Sequence, residues 1–312
     1  MNAAALQAAG CALFAHEPLS RHTTFQLGGP CPVLIACATP EQLHTAVAEL
    51  HRSGEAFELI GGGSNLLVAD GGLPSAIIRY QSAQPLIAYA HGVLNVSGST
   101  QFDDVAACAV REGLAGLELF SGIPGTLGGA LAGNAGAFGK HIGDVLEEVT
   151  LLDRAGRLRH AAPAELRFAY RSSALQTSGE IVVAARLRLP PGEAAVLAHQ
   201  RNECLMIRQQ KHPDWHVTPT AGSFFRNVAP TSAAGRRQAA GWFLEQSGAL
   251  EMRLHGARPY AKHANIIVRD GPCSAQDVLD LSRRMADAVA QKFNLQLERE
   301  VRLLGAFASY ER

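Results

Sequence analysis

Neither sign of charge dominates this 312-residue chain: Lys and Arg together number 28, and so do Asp and Glu. A balanced surface gives no bulk attraction for nucleic acid, so an anionic ligand would have to be held by local basic groups and backbone N–H groups. Cysteines are few and scattered, at positions 11, 31, 37, 108, 204 and 273. No two form a C-x-x-C pair and none lies in a Cys/His cluster of zinc spacing, so no metal site is expected and the thiols read as reduced and cytoplasmic. No apolar run approaches the ~18 residues that would cross a bilayer. Met1 to Glu17 is alanine-rich but has no Lys or Arg, the first being Arg21, so it lacks the charged start of a signal peptide and reads as a short helical lead-in. Charged residues make up 18% and hydrophobic residues 47%, a composition that excludes disorder.

What is present is an alternation of strand and helix signals. Pro32–Cys37 is a short apolar run read as a strand, and Thr39-Pro40 starts a helix, threonine as cap and proline at the first helical position. Leu43, Ala46, Val47 and Leu50 give that helix one buried face, and Gly54 ends it. Strands are expected at Phe57–Ile60, Ala76–Tyr80, Leu94–Ser97, Val145–Leu152 and Ile181–Leu189, with a helix capped by Thr100 and ending at Gly113. Pro190-Pro191-Gly192 is the strongest boundary signal. Beyond it the pattern predicts helices near Glu193–Gln210 and Gln238–Gln246 and a strand at Asn265–Val268. A long helix follows, starting at Ser274 with Asp277 three residues on, and then a last strand, Leu295 to Leu304.

Two glycine-rich stretches carry the chemistry. Gly61-Gly62-Gly63-Ser64-Asn65 follows the Phe57–Ile60 strand at once. Ser121 to Gly139 holds seven glycines in nineteen residues and no charge, where average usage predicts about two. By propensity this second stretch should not hold a helix, since each glycine costs roughly 1 kcal/mol against alanine. It is too apolar for a solvated linker. Backbone running close to another group, where side chains would obstruct, is the remaining option, and adjacent backbone N–H groups suit a phosphate-bearing ligand. Neither G-x-G-x-x-G nor G-x-x-x-x-G-K-[ST] is present, which argues against a Rossmann site and a P-loop.

These stretches, Gly61 to Leu67, Ser121 to Gly129 and Asn134-Ala135-Gly136-Ala137, closely resemble the FAD-binding segments of the UDP-N-acetylenolpyruvoylglucosamine reductase (MurB) family. Four further blocks match in order: Arg21-His22-Thr23-Thr24-Phe25 with Gly28-Gly29, Tyr170-Arg171-Ser172-Ser173, Ala221 to Asn227, and Leu297 to Val301 followed by Leu304-Gly305. The ordered set spans about residues 19 to 305. The resemblance implies an α+β chain: a lead-in at 1–18, a two-subdomain FAD-binding module of the vanillyl-alcohol-oxidase type at 19–190 (subdomains about 19–70 and 71–190), and an α+β substrate domain at 191–312 whose final strand returns Glu300 to the active site.

It further implies non-covalent FAD, with NADPH as co-substrate and a UDP-sugar enolpyruvyl ether as substrate, in peptidoglycan precursor synthesis. Gly61, Gly62, Gly63, Ser64 and Asn65, with Ser121, Gly122, Ile123, Pro124, Gly128, Gly129, Asn134, Ala135 and Gly136, would hold the cofactor. Arg171 matches the residue that clamps the substrate carboxylate, Ser223 the proton donor, and Glu300 the residue that completes the site. Tyr170, Asn227 and Lys262 match substrate-binding positions. Covalent attachment through Cys108 or His141 is disfavoured, since neither lies inside a matching block. The chain is expected to act as a cytoplasmic monomer, with no nucleic-acid or membrane partner.

The match departs at Val228, where the family usually has proline, at Gly248-Ala249-Leu250-Glu251, and at Arg258-Pro259-Tyr260-Ala261, all in the substrate domain. Arg171 and Ser223 are 52 residues apart, as in the subclass that lacks an additional tyrosine-bearing loop, which makes Lys211–His216 the candidate lid. Two other readings share parts of this pattern. Another flavin oxidase of the same fold would keep the glycine stretches without needing Arg171, Ser223 and Glu300 together, and a non-catalytic nucleotide- or flavin-binding protein would show a degenerate trio.

Overall fold

A computed structural model describes residues 1–230 and 237–309. The chain divides into two compact units. The first comprises Met1–His16, Pro32–Gly62 and Ser75–Arg208; the second comprises Glu17–Cys31, Gly63–Pro74 and Gln209–Arg312. The passage between them after Arg208 falls inside the helix Ala194–Lys211 rather than at Pro190-Pro191-Gly192. No helix among the described residues is long and apolar enough to cross a membrane.

The first unit contains two sheets. The four-stranded sheet runs in the order Ala12–Pro18, Pro30–Cys37, Ala76–Tyr80, Phe57–Ile60, the last three strands being parallel. Parallel neighbours need a crossover, and the helix Pro40–Ser53 supplies it. Its start is a full capping box between Thr39 and Gln42 with Pro40 in the first turn, and its end is Gly54 in the left-handed region, φ 69°. Leu43, Ala46, Val47 and Leu50 are buried, as the spacing predicts. The lead-in differs from expectation. Its helix is only Ala3–Ala8, and Ala12–Pro18 is an edge strand. Six of that strand's seven residues lie on exposed or half-exposed positions with no alternation, so no strand signal reaches the sequence.

The five-stranded antiparallel sheet runs Leu158–Ala161, Leu146–Leu152, Ile181–Arg188, Val93–Ser97, Ile87–Ala90. A register shift opposite Thr150–Leu151 marks a bulge in the central strand. The bulge lets Val182, Ala185 and Leu187 join one core while Ile181 and Val183 join the core under the Pro40–Ser53 helix. The helix Phe102–Arg111 packs on this sheet, but Thr100 is not its cap: Gln101 stands there without a side-chain bond, and Thr100 Oγ1 accepts from the Leu86 N–H at 3.2 Å. The glycine-rich stretch also departs from expectation, since Leu127–Ala132 is helical. Thr126 caps it, and burial of Leu127, Ala130 and Leu131 outweighs the poor propensity of Gly128 and Gly129.

The second unit is built on a three-stranded antiparallel sheet, Thr220–Ser223, His263–Arg269, Ala257–Tyr260, covered by the helix Ala275–Phe293. Ser274 and Asp277 form that helix's capping box, and Val278, Leu281, Met285 and Val289 are fully buried beneath it. Leu66–Val68 pairs in parallel with Arg302–Leu304. That three-residue strand is all that forms of the predicted Leu295–Leu304 strand; the preceding residues follow the backbone of Phe224–Arg226 through single bonds, Arg226 N–H to Glu298 O at 2.8 Å and Glu300 N–H to Phe224 O at 2.8 Å. Leu295, Leu297 and Val301 nonetheless point into one core, which is why the segment reads as a strand.

The Thr39 cap gives a direct stability test. Thr39→Ala should lower the unfolding free energy by about 1 kcal/mol, seen as a reduced urea midpoint at unchanged slope. Thr39→Ser should stay close to the parent.

Candidate active site

In the first unit, the two glycine stretches touch backbone to backbone. A Cβ at Gly61 would lie 2.6 Å from Thr126 Oγ1, and one at Gly62 would lie 2.9 Å from Gly125 Cα. The Phe102 N–H donates to Gly125 O at 2.8 Å, and the Leu127 and Gly128 N–H groups donate to Thr100 O and Gly98 O, both at 2.9 Å. The result is a shallow wall of bare peptide. Among the described residues the amides of Gly61 and Gly62 donate to no acceptor. Paired glycine amides with no internal partner beside side-chain-free backbone fit a pyrophosphate-bearing cofactor.

The turn bearing Arg171 is fastened to that wall. Ala169 and Ser172 exchange backbone bonds at 3.0 and 3.1 Å, leaving Tyr170 and Arg171 as a two-residue tip, with Arg171 in the left-handed region at φ 52°. A non-glycine residue holds that conformation only where its surroundings over-determine it. Here Asn134 Nδ2 donates to Ala169 O at 2.9 Å, the Ser173 hydroxyl donates to Ala132 O at 2.7 Å, and Arg171 Nη2 donates to Gly136 O at 3.1 Å. The Arg171 guanidinium also lies 5.4 Å from the centre of the Tyr170 ring. The sequence-predicted cofactor segment and arginine motif are thus brought together.

Sequence reasoning gave no role to the helix Ala194–Lys211, yet its arginines grip the start of the glycine stretch. Arg208 Nε donates to Ser121 O at 2.7 Å. Asp103 accepts the Gly122 N–H at 2.7 Å and two bonds from Arg201 at 2.7 and 2.8 Å. Burial raises the Asp103 carboxyl, but Arg201 and the Gly122 amide outweigh it, so the group sits below the ordinary carboxylate range. Burial pushes the Arg208 guanidinium below its ordinary value, and the nearby charge of Arg171 pushes the same way. Arginines on an amphipathic helix look like solvated charge in a sequence, so no signal marked them.

In the second unit, the rest of the first glycine loop meets the serine and glutamate motifs. Gly63 has φ 65°, and a Cβ there would strike His22 O at 2.1 Å. Asn65 Nδ2 donates to Glu300 O at 3.3 Å and Asn65 O accepts from the Arg302 N–H at 3.1 Å. Glu300 in turn donates its N–H to Phe224 O, next to Ser223. Ser223 is half-buried at the end of its strand after Gly222, φ 76°. Buried Asn265, which the sequence did not single out, clasps Phe225 from both sides, accepting its N–H at 2.9 Å and donating to its carbonyl at 2.8 Å. Asn227 is exposed, and its Oδ1 accepts the Ala240 N–H at 3.2 Å. Lys262 is exposed at the tip of the hairpin joining Ala257–Tyr260 to His263–Arg269. In the Lys211–His216 segment, Trp215 and His216 stack at 3.6 Å and Gln26 Nε2 donates to Trp215 O at 3.4 Å.

Comparison with known proteins decides among the readings. Residues 31–162 match the sequence profile of an FAD binding domain, which takes in both glycine stretches. Residues 212–304 match the profile described as UDP-N-acetylenolpyruvoylglucosamine reductase, C-terminal domain. The reductase of Moorella thermoacetica is 36% identical over 291 residues, covering 93% of this chain and 92% of its own. This chain belongs to the UDP-N-acetylenolpyruvoylglucosamine reductase family. The reductase of Gloeobacter violaceus is likewise 36% identical, over 284 residues covering 91% of this chain and 93% of its own. The crystal structure of the family's enzyme from Thermus caldophilus superposes with a TM-score of 0.76 at 30% identity, covering 95% of this chain and 99% of that one. The α+β fold with an FAD-binding domain is therefore that of the reductase family.

The contact of Gly62 with Gly125 yields a test of the cofactor cradle. Gly62→Ala forces a methyl against backbone, an overpacking that costs about 1–3 kcal/mol. FAD affinity, followed by quenching of flavin fluorescence on titration into apoprotein, should fall about ten- to a hundredfold. Unchanged affinity would mean that the cradle is not at this contact.

Proposed function

We infer that this chain reduces UDP-N-acetylglucosamine enolpyruvate to UDP-N-acetylmuramate at the expense of NADPH, a step in peptidoglycan precursor synthesis. It acts in the cytoplasm as a monomer, on a UDP-sugar and without nucleic-acid or membrane partners. FAD, which the two glycine stretches would hold non-covalently, would supply the hydride-transfer chemistry between NADPH and the β-carbon of the enolpyruvyl group. The observation that carries the reading is the convergence of motifs distant in sequence. Asn65 of the cofactor loop, Glu300 and the backbone beside Ser223 are joined by consecutive hydrogen bonds.

The roles follow from the chemistry each group can perform. Hydride arrival at the β-carbon leaves negative charge on the α-carbon and its carboxylate. Arg171, a planar cation with donors in a fixed fork, binds that carboxylate and stabilises the charge as it spreads. Its held conformation on the Asn134 and Ser173 bonds keeps the fork preorganised. Ser223 gives its hydroxyl proton to the α-carbon, which a neutral serine can do only beside a stronger base such as this carbanion. Glu300 completes the site beside Ser223. Tyr170, Asn227 and Lys262 bind the sugar nucleotide, Lys262 as a point charge for phosphate. A flavin oxidase of the same fold would have no need for a carboxylate clamp and a proton donor together.

Pure protein should be yellow and release about one FAD per chain on acid or heat denaturation. A colourless protein that takes up no FAD would contradict the reading. In separate stopped-flow half-reactions, Arg171→Ala, Glu300→Ala and Ser223→Ala should each be reduced normally by NADPH. Reoxidation by the enolpyruvyl sugar should slow, for Ser223→Ala by something like the ~10²–10⁴-fold attributed to a positioned acid, and Ser223→Cys should recover part of the rate. Loss of the NADPH step with a normal sugar step would refute the roles.

A further inference from the structure

The strand that carries Ser223 is clasped just beyond it, where Asn265 holds Phe225, but its pairing before Ser223 is irregular. Thr220 pairs with Val268 and Ser223 with Ile266, but the ladder is interrupted between them. At such an irregularity the ladder is locally disrupted and residues are left unpaired by their own sheet. A proton donor at that point gains from a constraint on the Thr220 side as well, because an error of about 1 Å in a reacting group can cost a hundredfold in rate.

Thr24 supplies a constraint of the required kind. It is buried, 4% exposed, and it bonds in two directions. Its hydroxyl donates to Thr220 O at 2.6 Å, and its carbonyl accepts the Thr220 N–H at 3.1 Å. Its own N–H donates to Gly63 O at 3.2 Å. The hydroxyl also lies 3.5 Å from Gly63 O, but it has one proton and the much shorter bond to Thr220 takes it. Gly63 cannot retreat, because His22 O and Thr23 Cα occupy the space on its α-carbon at 2.1 and 2.9 Å from where a Cβ would stand. Thr220 passes the position on: its hydroxyl donates to Ile267 O at 2.6 Å and accepts the Gly222 N–H at 3.1 Å, one residue before Ser223.

We propose that Thr24 is a positioning residue for the reduction, setting the height of the Ser223 hydroxyl relative to the cofactor loop through its side-chain bond to Thr220. The proposal rests on Ser223 being the proton donor. Thr24 touches no reacting atom; it acts through Thr220 and Gly222.

Thr24→Val isolates the hydroxyl, since valine keeps the volume and the branched shape while both backbone bonds remain. On FAD-loaded protein, we expect FAD affinity and reduction by NADPH within about twofold of the parent, and sugar-dependent reoxidation slower by about ten- to a hundredfold. A larger solvent deuterium isotope effect on that step should accompany the slowing, because delivery of the proton has become the difficult event. Thr24→Ser, which keeps the donor, should restore most of the rate and the parental isotope effect. If the valine variant does not accumulate with FAD bound, Thr24→Ala is measured in the same way. A variant without the hydroxyl that reoxidises at the parental rate, or that loses both half-reactions and FAD affinity in equal proportion, overturns the proposal. Ser223→Ala run in parallel separates the failures. If it slows the sugar step while Thr24→Val does not, only the Thr24 role falls. If neither slows it, the assignment of Ser223 falls first and Thr24 with it.

Discussion

Bare backbone at Gly61 to Gly63 is the constraint on which the other arrangements depend. Each of these glycines stands where a Cβ would meet another group at under 3 Å: Thr126 Oγ1, Gly125 Cα and His22 O in turn. The loop therefore has no freedom to shift toward its neighbours, and no side chain of its own to keep a ligand away. Gly63 adds a left-handed φ of 65° that other residues adopt with strain. Within the second unit, where His22 O blocks Gly63, the Gly63 carbonyl and the Asn65 amide become reference points. Thr24 and the Thr220–Ser223 strand are registered against the first, Glu300 and the Arg302–Leu304 strand against the second.

The first unit follows the same logic with different materials. Ser121 to Gly136 has few polar side chains of its own, so polar groups from elsewhere hold its carbonyls and amides outside the buried Leu127–Ala132 helix. Arg208 takes Ser121 O, Asp103 takes the Gly122 N–H, Ser173 takes Ala132 O and Arg171 takes Gly136 O. Asn134, within the stretch, bonds outward to Ala169 and Gly143. The stretch ends up held along its length without being bulky. Burial disfavours the charge of Arg208 there, and Asp103 close by partly offsets it.

Much of this was legible in the sequence, and for identifiable reasons. The helix Pro40–Ser53 was readable because its cap, its proline, its apolar spacing and its terminal glycine agree. The site motifs were readable because glycine runs and the blocks around Arg171, Ser223 and Glu300 are local in sequence. What stayed hidden depends on tertiary contacts. The Leu127–Ala132 helix exists because Leu127 and Leu131 are buried, against the propensity of its glycines. The bulge in Ile181–Arg188, which divides that strand between two cores, leaves an apolar run that looks uniform. Thr24 lies inside a matching block, yet nothing in its neighbours says that its hydroxyl reaches Thr220, 196 positions away. Asn265 and Arg208 act through backbone atoms of distant segments, and such contacts leave no pattern to read.

The central claim is that this scaffold adds a hydride to the β-carbon of an enolpyruvyl ether and a proton from an exchangeable group to its α-carbon. The direct measurement is turnover of UDP-N-acetylglucosamine enolpyruvate with NADPH in D2O, with the product analysed by mass spectrometry and proton NMR. The account predicts UDP-N-acetylmuramate carrying deuterium at the α-carbon of its lactyl group, because the proton delivered there comes from a hydroxyl in exchange with solvent. NADPH oxidation that proceeds without consuming the sugar, or a reduced product whose α-carbon carries no deuterium, would contradict it.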